Sequence, residues 1–247
     1  MTQHIGIVAC SAEGAALCYR SICTEGAVRL GPHAHPEVSM HTPSLSGYVA
    51  CLERGDLEGV GAIMLMSAEK LASMGADFLI CPDNTIHAAM AHVLRRSPLP
   101  WLHIAEVVAA EAAGRSFRRV GITGTKWLID SDVYPEKLAA RGLEFVKPAD
   151  PDRQVLSRII MDELVCGRFL PASTAAIQAI IDRLKARGCD CVVLGCTELP
   201  LVVGDGNSAL PTLDSTRLLA QAALDRATGS VPPSRVSRPA AGQQAVP

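Results

Sequence analysis

Two short polar turns in this chain carry side chains able to hold or move protons: Cys81-Pro82-Asp83-Asn84-Thr85 and Gly195-Cys196-Thr197-Glu198. Each follows an apolar run, Ala76-Asp77-Phe78-Leu79-Ile80 in the first case and Val192-Val193-Leu194 in the second. A thiol or carboxylate at such a place can serve as a general acid or base. In open α/β sheets ligands bind beyond the carboxyl ends of the strands, and both turns fall there. Ile86, Met90, Val93 and Leu94 follow the first turn at helical spacing, which predicts that the Asn84 and Thr85 amides lie at a helix N-terminus. Free N–H groups and the helix dipole suit a small carboxylate there, and the Asn and Thr side chains each add a donor.

The elements that must hold these turns are strands alternating with helices. Residues Ser173 to Arg187 place Ile177, Ile180, Ile181 and Leu184 at i, i+3, i+4 and i+7, with Pro171 and Ser173 at the start and Gly188 at the end. Such alternation predicts βαβ units and parallel sheets. The halves echo each other: His4-Ile5-Gly6-Ile7-Val8 resembles Arg119-Val120-Gly121-Ile122-Thr123 as an opening strand. Later in each half comes a helix, then Gly-x-Asp, then an apolar strand and a polar turn. Gly75 to Asp83 is eight positions, as is Gly188 to Cys196. This internal pairing sets Asp83, not Cys81, opposite Cys196. The competing explanation is that all α/β units look alike at this level.

At these residues the chain resembles the aspartate/glutamate racemase superfamily. Leu194-Gly195-Cys196-Thr197-Glu198-Leu199-Pro200-Leu201 is similar to its second catalytic motif, and Asn84-Thr85-Ile86-His87 to the Asn-Thr-x-His after its first catalytic cysteine. Further agreement comes from Gly121-Ile122-Thr123-Gly124-Thr125 with Tyr134, Leu138 and Gly142, from Asp162-Glu163-Leu164 with Gly167, and from Leu213-Asp214-Ser215-Thr216. The resemblance runs from about residue 4 to 227. It implies an α/β fold of two pseudo-symmetric Rossmann- or flavodoxin-like lobes, each a mainly parallel sheet flanked by helices. The lobes are expected at 1–113 and 114–211, with a C-terminal helix near 214–227 rejoining the first and a disordered tail at 229–247. The implied activity is racemisation or epimerisation of a small, typically acidic amino acid, with the α-proton moved between opposed groups and without cofactor or metal. A homodimer is the family expectation.

The chain departs from the family pattern at one point. The residue before Asn84-Thr85 is Asp83, while Cys81 lies two positions earlier. Three readings follow: Asp83 opposes Cys196; or Cys81 still reaches the substrate; or Cys196 alone handles protons, as in superfamily decarboxylases. Like-charge repulsion would raise a thiol beside a carboxylate, so Asp83 and Cys196 would not ionise together. Substrate contacts are expected from Asn84, Thr85, Thr197, Glu198, Ser11, Thr123 and Thr125, although Ser11 and the two threonines of the second half could equally cap helices. Related isomerases and decarboxylases (hydantoin racemase, maleate isomerase, arylmalonate decarboxylase) are enzymatic alternatives. A non-catalytic carboxylate-binding protein and a thiol redox sensor are alternatives of other classes.

Composition narrows the field. Of 247 residues, 49% are hydrophobic and 19% charged, ordinary for a compact domain, and a net charge of −2 with scattered signs offers no basic footprint for nucleic acid. No apolar window reaches the ~20 residues of a membrane span, and the start lacks signal-peptide features, so the expected compartment is the cytoplasm. The nine cysteines include no CxxC pair; Cys10, Cys18, Cys23, Cys51, Cys166, Cys189 and Cys191 are read as packing residues. His33, His35 and His41 lie in a Pro-interrupted stretch without a completing Asp or Cys, and His87 is read as packed or tuning. Gly6 and Gly121 begin no GxGxxG turn, which disfavours a dinucleotide.

Overall fold

The computed structural model describes residues 2–229. The first half contains β1 (Ile5–Val8), α1 (Ala12–Leu30), β2 (Val38–His41), α2 (Leu45–Glu53), α3 (Leu57–Ser73), β3 (Phe78–Ile80), α4 (Met90–Leu94), β4 (Trp101–Leu102) and α5 (Ile104–Gly114). The second half contains β5 (Arg119–Thr123), α6 (Lys126–Asp130), α7 (Val133–Ala139), β6 (Glu144–Val146), α8 (Asp150–Ile159), α9 (Pro171–Ala186), β7 (Cys191–Leu194), β8 (Thr212–Asp214) and α10 (Ser215–Thr228). Each half forms a four-stranded, all-parallel sheet, and the strand orders match: β2-β1-β3-β4 and β6-β5-β7-β8. Every residue of β1, β3 and β7 is buried, as expected of central parallel strands covered on both faces.

The duplication extends to details. Gly75 and Gly188, just past the ends of α3 and α9, take φ of +88° and +85°, a left-handed turn that only glycine enters without steric cost. Two residues later Asp77 accepts the His4 N–H at 2.6 Å, while Asp190 accepts the Arg118 and Arg119 N–H groups at 2.7 and 3.1 Å. In both lobes an aspartate thus locks the entering end of the first strand to the third. The Gly-x-Asp echo in the sequence is this clasp.

The last helix of each half crosses over. Leu219, Ala220, Ala223 and Leu224 of α10 pack with Ile5, Ile7, Phe78 and Ile80 of the N-terminal lobe. Ala105, Val108, Ala109 and Ala112 of α5 pack with Val120, Ile122 and Leu138 of the C-terminal lobe. Most of the buried face of α5 joins the second core while Ile104 at its head packs in the first, because chain continuity does not decide which sheet covers a helix. The tail expected at 229–247 lies outside the described residues except for Gly229, the left-handed cap of α10 at φ 66°. Among the described residues no helix is long and apolar enough to cross a membrane, and no three His, Cys, Asp or Glu side chains are grouped as a metal set.

Candidate active site

The two turns meet. A cleft of about 510 Å³, its open mouth included, is lined from the N-terminal lobe by Cys10, Ser11, Asp83, Asn84 and Thr85 and from the C-terminal lobe by Thr125 and Gly195 to Glu198. Asp83 follows β3 and Cys196 follows β7, equivalent strands of the repeated scaffold, so the sequence pairing of these two residues is also a spatial one. Gly195 lets the second turn form: a Cβ there would stand 2.6 Å from the Thr123 carbonyl oxygen.

On the second lobe the Cys196 thiol donates to Glu198 Oε2 at 2.9 Å, and Thr197 Oγ1 donates to the same oxygen at 3.0 Å. With the Thr197 proton so committed, Ser11 supplies the proton of its 3.1 Å bond to Thr197, while Ser11 Oγ accepts from the Gly14 amide at 3.3 Å. A relay thus runs from the start of α1 across the lobe boundary to Glu198. Gly14 is glycine because a Cβ would fall 2.5 Å from the Thr197 hydroxyl. Glu198 is 2% exposed and its Oε1 has no partner among the described residues, which leaves one carboxylate oxygen of the cleft wall unsatisfied. Burial and the adjacent Glu198 charge push the Cys196 thiol well above its ordinary range, and Asp83 adds to the effect.

The first lobe carries a complementary arrangement. The Asp83 carboxylate accepts the Ile86 amide at 3.1 Å, and the Thr85 amide and the Cys10 thiol lie close enough to favour its anion. Burial raises its pKa, these donors oppose the rise, and the Glu198 charge reinforces it. The Ile86 amide, one residue beyond the pair expected to meet a substrate carboxylate, is used by Asp83 itself, because an aspartate at the head of a helical turn satisfies an orphan N–H group there. Cys10, read from sequence as packing, lines the cleft as a partner of Asp83. Cys81 is fully buried among Val8, Leu79 and Val93 and does not line the cleft; its thiol lies 4.0 Å from the Asp83 carbonyl oxygen.

The remaining expected contacts divide. Thr85 and Thr125 line the cleft and bond each other across the lobes at 3.0 Å, and Thr125 also caps α6 through the Leu128 amide. Thr123 is fully buried, gives its hydroxyl proton to the Val193 carbonyl at 2.7 Å and does not line the cleft; bonding inside the sheet has taken its one donor. Asn84 borders the cleft, but its amide is held by Tyr134 OH at 2.6 Å and Ser215 Oγ at 2.9 Å, tying the first-lobe turn to α7 and to the head of α10. No sequence signal joined Tyr134 and Ser215 to that turn beyond their places in the family strings. His87 is buried. Its Nδ1 lies 2.6 Å from the Asp83 carbonyl and its Nε2 accepts the Ile104 amide at 3.4 Å, which assigns the neutral ring with the proton on Nδ1. His41 contacts Ser67 and Lys70, while His35 contacts the Pro36 carbonyl, so the histidine stretch forms no joint site.

Residues 7–223 match the Asp/Glu/hydantoin racemase family. The chain is 26% identical over 157 residues to the broad specificity amino-acid racemase RacX of Bacillus subtilis, covering 64% of this chain and 67% of that one. It is 30% identical over 163 residues to a glutamate racemase of Beutenbergia cavernae, covering 61% of this chain and 54% of the relative, so the match spans about half of that enzyme's length. A solved aspartate racemase homologue from Pyrococcus horikoshii superposes with a TM-score of 0.78 at 28% identity, covering 92% of this chain and all (100%) of that one. With its two parallel sheets, its cleft between repeated turns and a match over most of its length, this chain belongs to the Asp/Glu/hydantoin racemase family of isomerases.

Proposed function

We propose that the protein racemises or epimerises a small amino acid by moving the α-proton between Asp83 and Cys196, without a cofactor. The observation that carries this reading is that both side chains line one cleft from equivalent strand ends of two lobes. In one direction the Asp83 carboxylate removes the proton: the Cα–H bond breaks and its electron pair moves into the substrate carboxylate. The Cys196 thiol then protonates Cα from the opposite face and is left as thiolate. The reverse direction uses the thiolate as base and protonated Asp83 as acid. An amino-acid α-proton is weakly acidic, so the developing charge needs donors in a dry site. The Thr85–Thr125 hydroxyl pair at the cleft wall is the candidate, since the bond between the two uses one of their protons and leaves the other to give. The unpartnered Glu198 oxygen suits the substrate ammonium, since an unpaired buried carboxylate oxygen costs about 1–3 kcal/mol that a cation would recover.

Incubation with a panel of L-amino acids in deuterated water tests the reading. Solvent-derived α-deuterium should enter at least one amino acid and be found in both its enantiomers. Absence of exchange in every amino acid of the panel would remove the racemase reading and favour a carboxylate-binding protein on the same scaffold.

A further inference from the structure

Beside its polar residues the cleft has a second kind of wall. Leu45, Val49 and Leu52 on one side of α2 line it, together with Trp127 of α6 and, after α8, Met161 and Val165. The charged groups among the described lining residues are Asp83 and Glu198, both acidic. Lys126, next to Trp127, holds its ammonium 5.0 Å from that indole ring and lines the adjoining depression beside Asp130 instead.

We infer that the substrate's side chain is uncharged and apolar, of the leucine or methionine kind, and that α2, Trp127 and the Met161–Val165 turn receive it. The inference rests on the racemase reading for the amino-acid part of the ligand. A side-chain carboxylate would enter a space that already holds two acidic groups and supplies no cation to pair with it. The hydroxyls that could solvate it are those needed by the α-carboxylate. A side-chain ammonium would be drawn by the acidic groups, yet it would have to give up water against aliphatic carbon. A hydrocarbon side chain meets neither penalty and covers the apolar wall. An acidic amino acid, the expectation from family resemblance, therefore fits this chain's cleft poorly.

Exchange into L-leucine, L-methionine, L-aspartate, L-glutamate and L-lysine in deuterated water reads the preference directly. The kcat/KM for leucine or methionine should exceed that for each charged amino acid by at least about 100-fold. Exchange of aspartate, glutamate or lysine as fast as leucine overturns the inference. Met161→Arg, or Val49→Arg should the first fail to fold, adds a cation to the apolar wall. Either should raise the aspartate-to-leucine ratio by about tenfold or more, and an unchanged ratio counts against the assignment of that wall. If no amino acid exchanges, the racemase reading falls and calorimetric binding to the unaltered protein decides this one separately. Leucine binding more tightly than aspartate supports it, whereas equal binding, an aspartate preference or binding of neither overturns it.

Discussion

The two turns that face the cleft stand at equivalent points of a repeated scaffold and carry the same two kinds of group in opposite order. After β3 a carboxylate, Asp83, accepts a backbone amide, that of Ile86, and has a thiol, Cys10, beside it. After β7 a thiol, Cys196, donates to a carboxylate, Glu198. The scaffold therefore fixes where an ionisable side chain stands, while burial and its neighbours decide when it ionises. Amide and thiol donors favour the anion at Asp83; the Glu198 charge disfavours it at Cys196. As pH rises, Asp83 releases its proton first and Cys196 much later. The intervening state, one proton shared between an acid and a base, is the one a two-sided proton transfer needs.

Removing either carrier is the strongest way to break this comparison. Cys196→Ala and Asp83→Asn should each lower racemisation by about 10²–10⁴-fold, the usual worth of a general acid or base. The informative result is in the remaining exchange. Each variant keeps one base, which can remove an α-proton and return a deuteron to the same face. Cys196→Ala should then label one enantiomer without inverting it, and Asp83→Asn the other. Labelling of the same enantiomer by both variants would show that the carriers do not stand on opposite faces. An Asp83→Asn enzyme that racemises at the parent rate would leave Cys196 as the single carrier.

Changing the neighbours sharpens the comparison with smaller effects. The kcat/KM profile should have an acid limb set mainly by Asp83, above the ordinary carboxylate range, and an alkaline limb set mainly by Cys196, above the ordinary thiol range. Glu198→Gln removes the charge and the bond that hold the Cys196 proton, so the alkaline limb should move down. Cys10→Ala removes a donor that favours the Asp83 anion, so the acid limb should move up by less. Opposite shifts that narrow the plateau from its two sides are the signature of mirrored pairs. Two shifts in the same direction would contradict it.

Much of this architecture was legible in the residues. The Gly-x-Asp strings at Gly75 and Gly188 repeat because both helices end in a left-handed turn, and the equal spacing to Asp83 and Cys196 put both side chains at strand ends. What was hidden depends on contacts between distant segments. A lone cysteine closing a strand, such as Cys10, looks like any buried cysteine until the neighbouring strand brings Asp83 beside it. Asn84 reads as a donor for substrate, but Tyr134 and Ser215, 50 and 131 positions away, take up its amide. Thr123 sits at the right turn with its hydroxyl folded back into the sheet. The return of α10 to the first lobe was expected from the family resemblance, but the placing of α5 is hidden for a similar reason: an amphipathic pattern says that a face is buried, not which sheet buries it.

A last difference between the lobes concerns how the turns are held. The Asp83 carbonyl rests on the His87 ring, whose other nitrogen takes the Ile104 amide at the head of α5, so a titratable group ties the first-lobe turn to the helix that enters the second core. The Leu194 carbonyl, just before the Cys196 turn, is held instead by the Ser215 hydroxyl, which does not titrate. Burial lowers the His87 pKa to about 3, with help from His103, whose own pKa is lowered to about 4 and whose ring centroid lies 4.7 Å away. An unfolded histidine has a pKa near 6.5, so between these values the unfolded chain binds more protons than the folded one. Stability from the neutral ring should be fully present above about pH 6.5 and be lost progressively as pH falls toward 3, by an amount on the order of several kcal/mol at full loss. Urea unfolding midpoints should stay level from pH 8 to about 6.5 and fall as the pH drops below that toward 5. His87→Gln, which keeps a donor and an acceptor without titrating, should be less stable at pH 8 but show a flatter decline. An equal slope in both proteins would assign the acid sensitivity to groups other than this brace.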